Sequence, residues 1–174
     1  MNIPNALTTL RFILIPTYLF VYFSKINNSF LFAMIIFFIA GATDVLDGYI
    51  ARKYNMVTKW GTLLDPLADK LMLLTVLFSL SYTNIIPHWV FYIVLIKEIS
   101  MIIGGFTLLK KYETVVAAKY YGKAATVLFY VAIGILIFNK LFGLYFLYCA
   151  IFLAFFALYN YFIHFIQIKR QAKY

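Results

Sequence analysis

Asp44-Val45-Leu46-Asp47-Gly48-Tyr49-Ile50-Ala51-Arg52, then a short basic loop, then Gly61-Thr62-Leu63-Leu64-Asp65-Pro66-Leu67-Ala68-Asp69, hold four of the six acidic residues in a chain of 174. Both stretches run into strongly apolar sequence. A carboxylate at the centre of a lipid-facing helix costs about 2.5–3.5 kcal/mol, so four of them demand compensation. The spacing says where it would act. Asp44, Asp47, Gly48, Ala51 and Arg52 fall at i, i+3, i+4, i+7 and i+8, which is one helical face. Gly61, Asp65 and Asp69 recur at intervals of four, again on one face. The loop is short, so the two helices are expected to be antiparallel neighbours that face each other with four carboxylates around one pocket.

Four like charges repel, and without cations some of them would have to be protonated. Two divalent cations, Mg²⁺ or Mn²⁺, would neutralise the set, and hard oxygen donors suit these ions. Two such ions about 3.5–4 Å apart clamp a phosphoryl centre and stabilise its entering and leaving oxygens. Gly48 and Ala51 leave the backbone open to a ligand, and Arg52 is placed one turn further to meet a phosphate or an acid. Two other readings use the same residues. The acids could form structural ion pairs with Arg52, Lys53, Lys59 or Lys70, or they could line the ion path of a transporter. Small residues and an Arg in register with the acids favour metal-assisted phosphoryl chemistry.

The rest of the chain supplies a membrane setting. It is 65% hydrophobic and 12% charged, against roughly 25% charged in soluble domains. An all-α integral membrane protein is expected, one domain over residues 1–174. Six transmembrane helices are predicted at about 7–24, 29–51, 61–82, 87–109, 119–139 and 142–168, each near the ~20 residues a span needs. Continuous apolar runs without alternation argue against barrel strands. The third span is interrupted by Asp65, Pro66, Asp69 and Lys70. A short interfacial segment over residues 2–11 precedes the first span, with Asn5 as candidate N-cap. Arg11 would either snorkel to the headgroups or face a polar cavity.

Basic residues set the orientation. Arg52, Lys53, Lys59, Lys110, Lys111, Lys119, Lys123, Lys169, Arg170 and Lys173 gather on one side, while Lys25 and Lys140 are the basic residues of the other. By the positive-inside rule both termini and the acidic cluster face the cytoplasm. The net charge of +9 points to anionic headgroups, and no aromatic-basic strip suggests nucleic acid. The single Cys149 excludes an intrachain disulfide and is expected to be a small buried residue. The N-terminal residues lack the basic stretch of a cleaved signal peptide. Trp60 and Trp89 read as interfacial anchors, and His88 and His164 as packing or interface residues.

The two quoted stretches resemble the signature of the CDP-alcohol phosphatidyltransferase family, with Asp44, Asp47, Gly48, Ala51, Arg52, Gly61, Asp65 and Asp69 at its fixed positions. The resemblance covers the whole chain. It implies transfer of a phosphatidyl group from a CDP-lipid to an alcohol with release of CMP, in a homodimer with one site per protomer. It implies two divalent cations held by Asp44, Asp47, Asp65 and Asp69, with Asp69 as general base. It also implies a CDP site built from Asp44, Gly48, Ala51, Arg52, Gly61 and Asp65.

Within the family, Asn2-Ile3-Pro4-Asn5-Ala6-Leu7-Thr8-Thr9-Leu10-Arg11 and Leu64-Asp65-Pro66-Leu67-Ala68-Asp69-Lys70 resemble the branch that takes sn-glycerol 3-phosphate. That branch makes phosphatidylglycerophosphate from CDP-diacylglycerol, and the resemblance places the chain in the cell membrane, a bacterial plasma membrane. The dianionic acceptor needs cationic partners. Lys97, Lys119 and Lys123 are the candidates, and Gly122-Lys123 with Thr126 resembles a family element in which the Lys meets the acceptor phosphate. A structural pair of Lys97 with Glu98, and ordinary cytoplasmic anchoring by Lys119 and Lys123, are the alternatives. The chain departs from that branch in having Lys97 where Arg is usual, Gly105 where a second Arg is usual, Lys119 for Ser and Ala125 for Lys. These departures leave open another acceptor, phosphatidylglycerol (cardiolipin synthesis) or inositol phosphate.

Overall fold

The structure is a computed structural model that describes residues 3–54, 59–112 and 120–171. Those residues form six α-helices and no strand: α1 (Ile3–Tyr22), α2 (Ser29–Lys53), α3 (Lys59–Tyr82), α4 (His88–Tyr112), α5 (Tyr120–Phe138) and α6 (Lys140–Gln171). Ser29–Ile50 and Lys140–Ile163 are long and apolar enough to cross a membrane, with mean hydropathy 2.1 and 2.4. Ala6–Tyr22 and Gly122–Phe138 are shorter apolar helices.

Local chemistry explains where the helices stop. At the end of α3, Asn84 adopts φ 58°. The Ile85 N–H reaches the Leu80 carbonyl (2.9 Å) and the Asn84 N–H reaches that of Ser81 (3.0 Å). This pair of bonds is a Schellman motif, with Asn in the left-handed position that usually takes Gly. Asn139 links α5 to α6 as an N-cap: its Oδ1 accepts from the N–H groups of Leu141 (3.0 Å) and Phe142 (3.2 Å). That cap starts α6 earlier than its apolar run suggests.

Two expectations for the N-terminus are corrected. α1 runs unbroken from Ile3, so residues 3–11 are not a separate interfacial segment, and Asn5 lies inside the helix and does not cap it. Pro4 is tolerated there because first-turn N–H groups have no helical acceptor. α3 also continues through Pro66. The missing Pro66 N–H leaves the Thr62 carbonyl without its helical donor, and the helix proceeds regardless.

Chain contacts divide the molecule into two compact units, residues 1–86 and 87–174. In the first, α1 packs along both α2 and α3, and α2 and α3 meet over a shorter stretch. α2 and α3 are neighbours as expected, but α1 is the main neighbour of each. Tyr18, Met34, Phe37, Ala40, Ala68, Met72, Val76 and Leu77 form the core. In the second unit α5 and α6 form a hairpin, and α4 packs on α6. Trp89 stacks on Tyr148 with ring centroids 5.5 Å apart.

In both units small side chains are buried (Ala33, Ala40, Ala68, Ala132, Ala150, Ala154), while Phe20, Phe32, Phe78, Ile103, Val127 and Phe152, one on each helix, are exposed. Small residues at helix contacts, with large apolar side chains exposed on every helix, fit helices that meet lipid. Cys149 departs from expectation, because it is exposed.

Candidate active site

The site belongs to the first unit and draws on three helices. α2 supplies Asp44 and Asp47 from adjacent turns of one face, α3 supplies Asp65, and α1 supplies Thr8 and Arg11. The Arg11 guanidinium is where they meet. Its Nη1 donates to Asp44 Oδ1 at 2.6 Å and to the Asp65 carbonyl at 3.3 Å. Its Nη2 donates to Asp47 Oδ2 and lies 3.4 Å from Asp65 Oδ1. The Thr8 hydroxyl donates to the same Asp65 Oδ1. Arg11 is 1% exposed and Asp47 2%, whereas Asp44 and Asp65 are 39% and 30% exposed. The guanidinium thus forms a buried floor, and Asp44 and Asp65 form a rim that reaches the outside.

Of the two readings of Arg11, snorkelling to the headgroups is corrected and the polar surround holds. A buried carboxylate must be paired and hydrogen-bonded to persist, and Arg11 is the one basic residue before Lys25. Sequence reading missed Thr8 as a site residue and gave Arg11 no partner. The available signal was their i, i+3 spacing on a helix with no other cation.

Asp44, Asp47 and Asp65 are brought together as the spacing suggested. Asp69 lies one turn beyond Asp65 on α3 and is half-buried, as is Gly48. For Ala51, Arg52 and Gly61 only the helical backbone is described; their surroundings lie outside the described residues. Lys119 also lies outside them, as do the side chains of Trp60 and His164.

Lys97 and Lys123 belong to the second unit. Lys97 pairs with Glu98 at 2.5 Å and is 13% exposed. Residues one apart on a helix do not normally face each other; the four-carbon Lys stem spans the gap. Lys123 is exposed near the start of α5, and the Thr126 hydroxyl donates back to the Gly122 carbonyl at 3.2 Å.

Three carboxylates share one guanidinium, which leaves a local excess of two negative charges. Oxygen donors with excess negative charge in an apolar surround suit hard divalent cations, so in donor chemistry the residues fit the ions the sequence implies. As they stand, no three His, Cys, Asp or Glu side chains among the described residues are disposed to hold a metal ion. The cation the carboxylates share is Arg11.

A family model described as CDP-alcohol phosphatidyltransferase matches residues 1–156. The chain belongs to the CDP-alcohol phosphatidyltransferase family, whose enzymes are generally dependent on divalent metals. It is 34% identical over 152 residues to a Bacillus subtilis protein named CDP-diacylglycerol--glycerol-3-phosphate 3-phosphatidyltransferase, covering 80% of this chain and 78% of that one. A Haemophilus influenzae protein of the same name is 49% identical over 76 residues, 44% of this chain and 41% of that one. A Drosophila melanogaster protein named "Probable cardiolipin synthase (CMP-forming)" is 37% identical over 109 residues, 62% of this chain and 33% of that one. The chain spans less than half the length of the last two relatives.

Proposed function

We propose that this chain transfers the phosphatidyl group of CDP-diacylglycerol to sn-glycerol 3-phosphate, giving phosphatidylglycerophosphate and CMP. The observation that carries this reading is the meeting of Asp44, Asp47 and Asp65, from two helices, at one point with excess negative charge. It is supported by the relatives named for this reaction.

Asp44, Asp47, Asp65 and Asp69 would hold two divalent cations, Mg²⁺ or Mn²⁺. When bound, these would neutralise the diphosphate and stabilise the departing CMP. Asp69 takes the proton from the acceptor hydroxyl as its oxygen bonds to the lipid-side phosphorus. On the opposite side the bond from phosphorus to the CMP oxygen breaks, and CMP leaves with that electron pair. Gly48, Ala51 and Gly61 give the cytidine close access to backbone, and Arg52 balances diphosphate charge. Lys97, Lys119 and Lys123 are the acceptor-phosphate candidates. Because Lys97 is already paired with Glu98, Lys123 is the stronger of the two described.

The setting belongs to the same proposal. Residues 1–174 form one membrane domain of six spans, with both termini and the site on the cytoplasmic face of a bacterial plasma membrane, and the chain works as a homodimer. One observation favours a second acceptor. Gly105 stands where the glycerol-phosphate branch carries Arg, and similarity extends to the fly protein named for cardiolipin synthesis. Phosphatidylglycerol would then replace glycerol phosphate.

The test offers the purified protein CDP-diacylglycerol with glycerol 3-phosphate, inositol phosphate, serine or phosphatidylglycerol in separate reactions, and measures CMP. Glycerol 3-phosphate is expected to give the fastest release. Release with phosphatidylglycerol alone reassigns the acceptor. No CMP with any of them, and transport that needs an ion gradient, would replace the enzyme reading with a transporter.

A further inference from the structure

Arg11 and Thr8 take no part in the transfer step above, yet their bonds reach three aspartates on two other helices. We propose that they are positioning residues for the cation site. The buried Arg11 guanidinium grips one carboxylate oxygen each of Asp44, Asp47 and Asp65, the Thr8 hydroxyl fixes Asp65 a second time, and the opposite oxygens of the partly exposed Asp44 and Asp65 are thereby left to the open side. This rests on the two-cation reading above.

Three observations support the assignment. The first is sidedness: Arg11 lies beneath the cluster, while Asp44 and Asp65 are partly exposed. A cation or diphosphate arriving from outside meets carboxylate oxygens before it meets the guanidinium. The second is atom usage. Arg11 engages Oδ1 of Asp44, Oδ2 of Asp47 and Oδ1 of Asp65, a single oxygen of each. A carboxylate has two oxygens and about four lone-pair directions. Pinning one oxygen stops the group rotating and presents the other. The third is the shape of the donor. A planar guanidinium has five N–H donors in a fixed fork spread over separate nitrogens, whereas an ammonium gathers its three donors on one nitrogen and cannot hold carboxylates in that fixed geometry.

Thr8 and Arg11 stand one turn apart on α1, so a single helix face sets the orientation of acids from α2 and α3. The guanidinium cancels one of the three carboxylate charges, so attraction for a divalent ion remains.

The test is a Mn²⁺ titration of the purified full chain by electron paramagnetic resonance, for wild type, Arg11→Lys and Thr8→Val, with melting temperatures recorded alongside. Hydrogen-bond partners behind metal ligands contribute about 10–100-fold to metal affinity. Arg11→Lys, which keeps the charge but not the fork, is expected to weaken Mn²⁺ binding by an amount in that range while melting within a few degrees of wild type. Thr8→Val is expected to weaken it about tenfold, the low end of that range, and it carries the test if Arg11→Lys does not fold. Unchanged Mn²⁺ affinity in a folded variant overturns the proposal. Tighter binding by Arg11→Lys also overturns it, because the guanidinium would then be a competitor for the cation. A wild-type protein that binds no Mn²⁺ sinks the two-cation reading itself, an outcome distinct from wild type and variant binding alike.

Discussion

Asp69→Asn lowers CMP release from CDP-diacylglycerol by about 10²–10⁴-fold, the usual contribution of a general base. The acceptor is an alcohol whose hydroxyl holds its proton tightly at neutral pH, so attack on phosphorus needs a group that takes the proton as the new bond forms. Asparagine has the shape of aspartate and can accept a hydrogen bond, but it cannot take that proton. Asp69 suits the task by position: it follows Asp65 by one turn of α3 and is half-buried. The measurement is CMP formed per minute by the variant and the wild type at saturating substrates, with equal melting temperatures showing that the fold survives. A variant within tenfold of wild type would remove Asp69 from the chemistry.

Arg11→Met destabilises the protein by about 3–5 kcal/mol, the cost of leaving a buried charge without its partner. Asp47 is the reason for so large an effect. It is 2% exposed and loses its guanidinium, whereas Asp44 and Asp65 retain access to the outside. A second substitution, Asp47→Leu, made in the Arg11→Met protein, is expected to restore most of the loss, since an apolar pair can replace a buried ionic one at little cost. Activity stays abolished in the double variant, because Asp47 belongs to the proposed cation set. Unfolding in detergent of the wild type, both single variants and the double variant gives the coupling between the two side chains. Purely additive losses would mean that the Arg11–Asp47 bond contributes nothing to stability.

The two acidic stretches were legible because their logic is local. Asp44 and Asp47 share a helical face by spacing alone, and Asp65 joins them across a short loop. Six helices were legible from apolar runs, including α3 despite Pro66. Helix ends were less so. Asn139 and Asn84 act through cap geometry, which a hydropathy window does not register.

The partners of α1 were not legible, because which helix packs against which is not a local property. Hydropathy treats Arg11 as one charge near the end of a span, and only the packing of α1 along α2 and α3 reveals its partners. Cys149 misled for a related reason. Around Cys149 α6 is apolar on every side, and where lipid and core are both apolar, sequence period cannot separate inward from outward faces. Lys97 was open between an acceptor-phosphate role and a pair with Glu98, and the structure shows the pair.

Chelation gives the most direct test of the central claim, that the aspartates gathered at Arg11 serve divalent cations in phosphatidyl transfer. Purified protein would receive CDP-diacylglycerol and sn-glycerol 3-phosphate, with CMP followed before EDTA, after EDTA, and after excess Mg²⁺ or Mn²⁺. CMP release is expected to stop with EDTA and to return with either cation. Release that continues at its original rate in EDTA would contradict the claim.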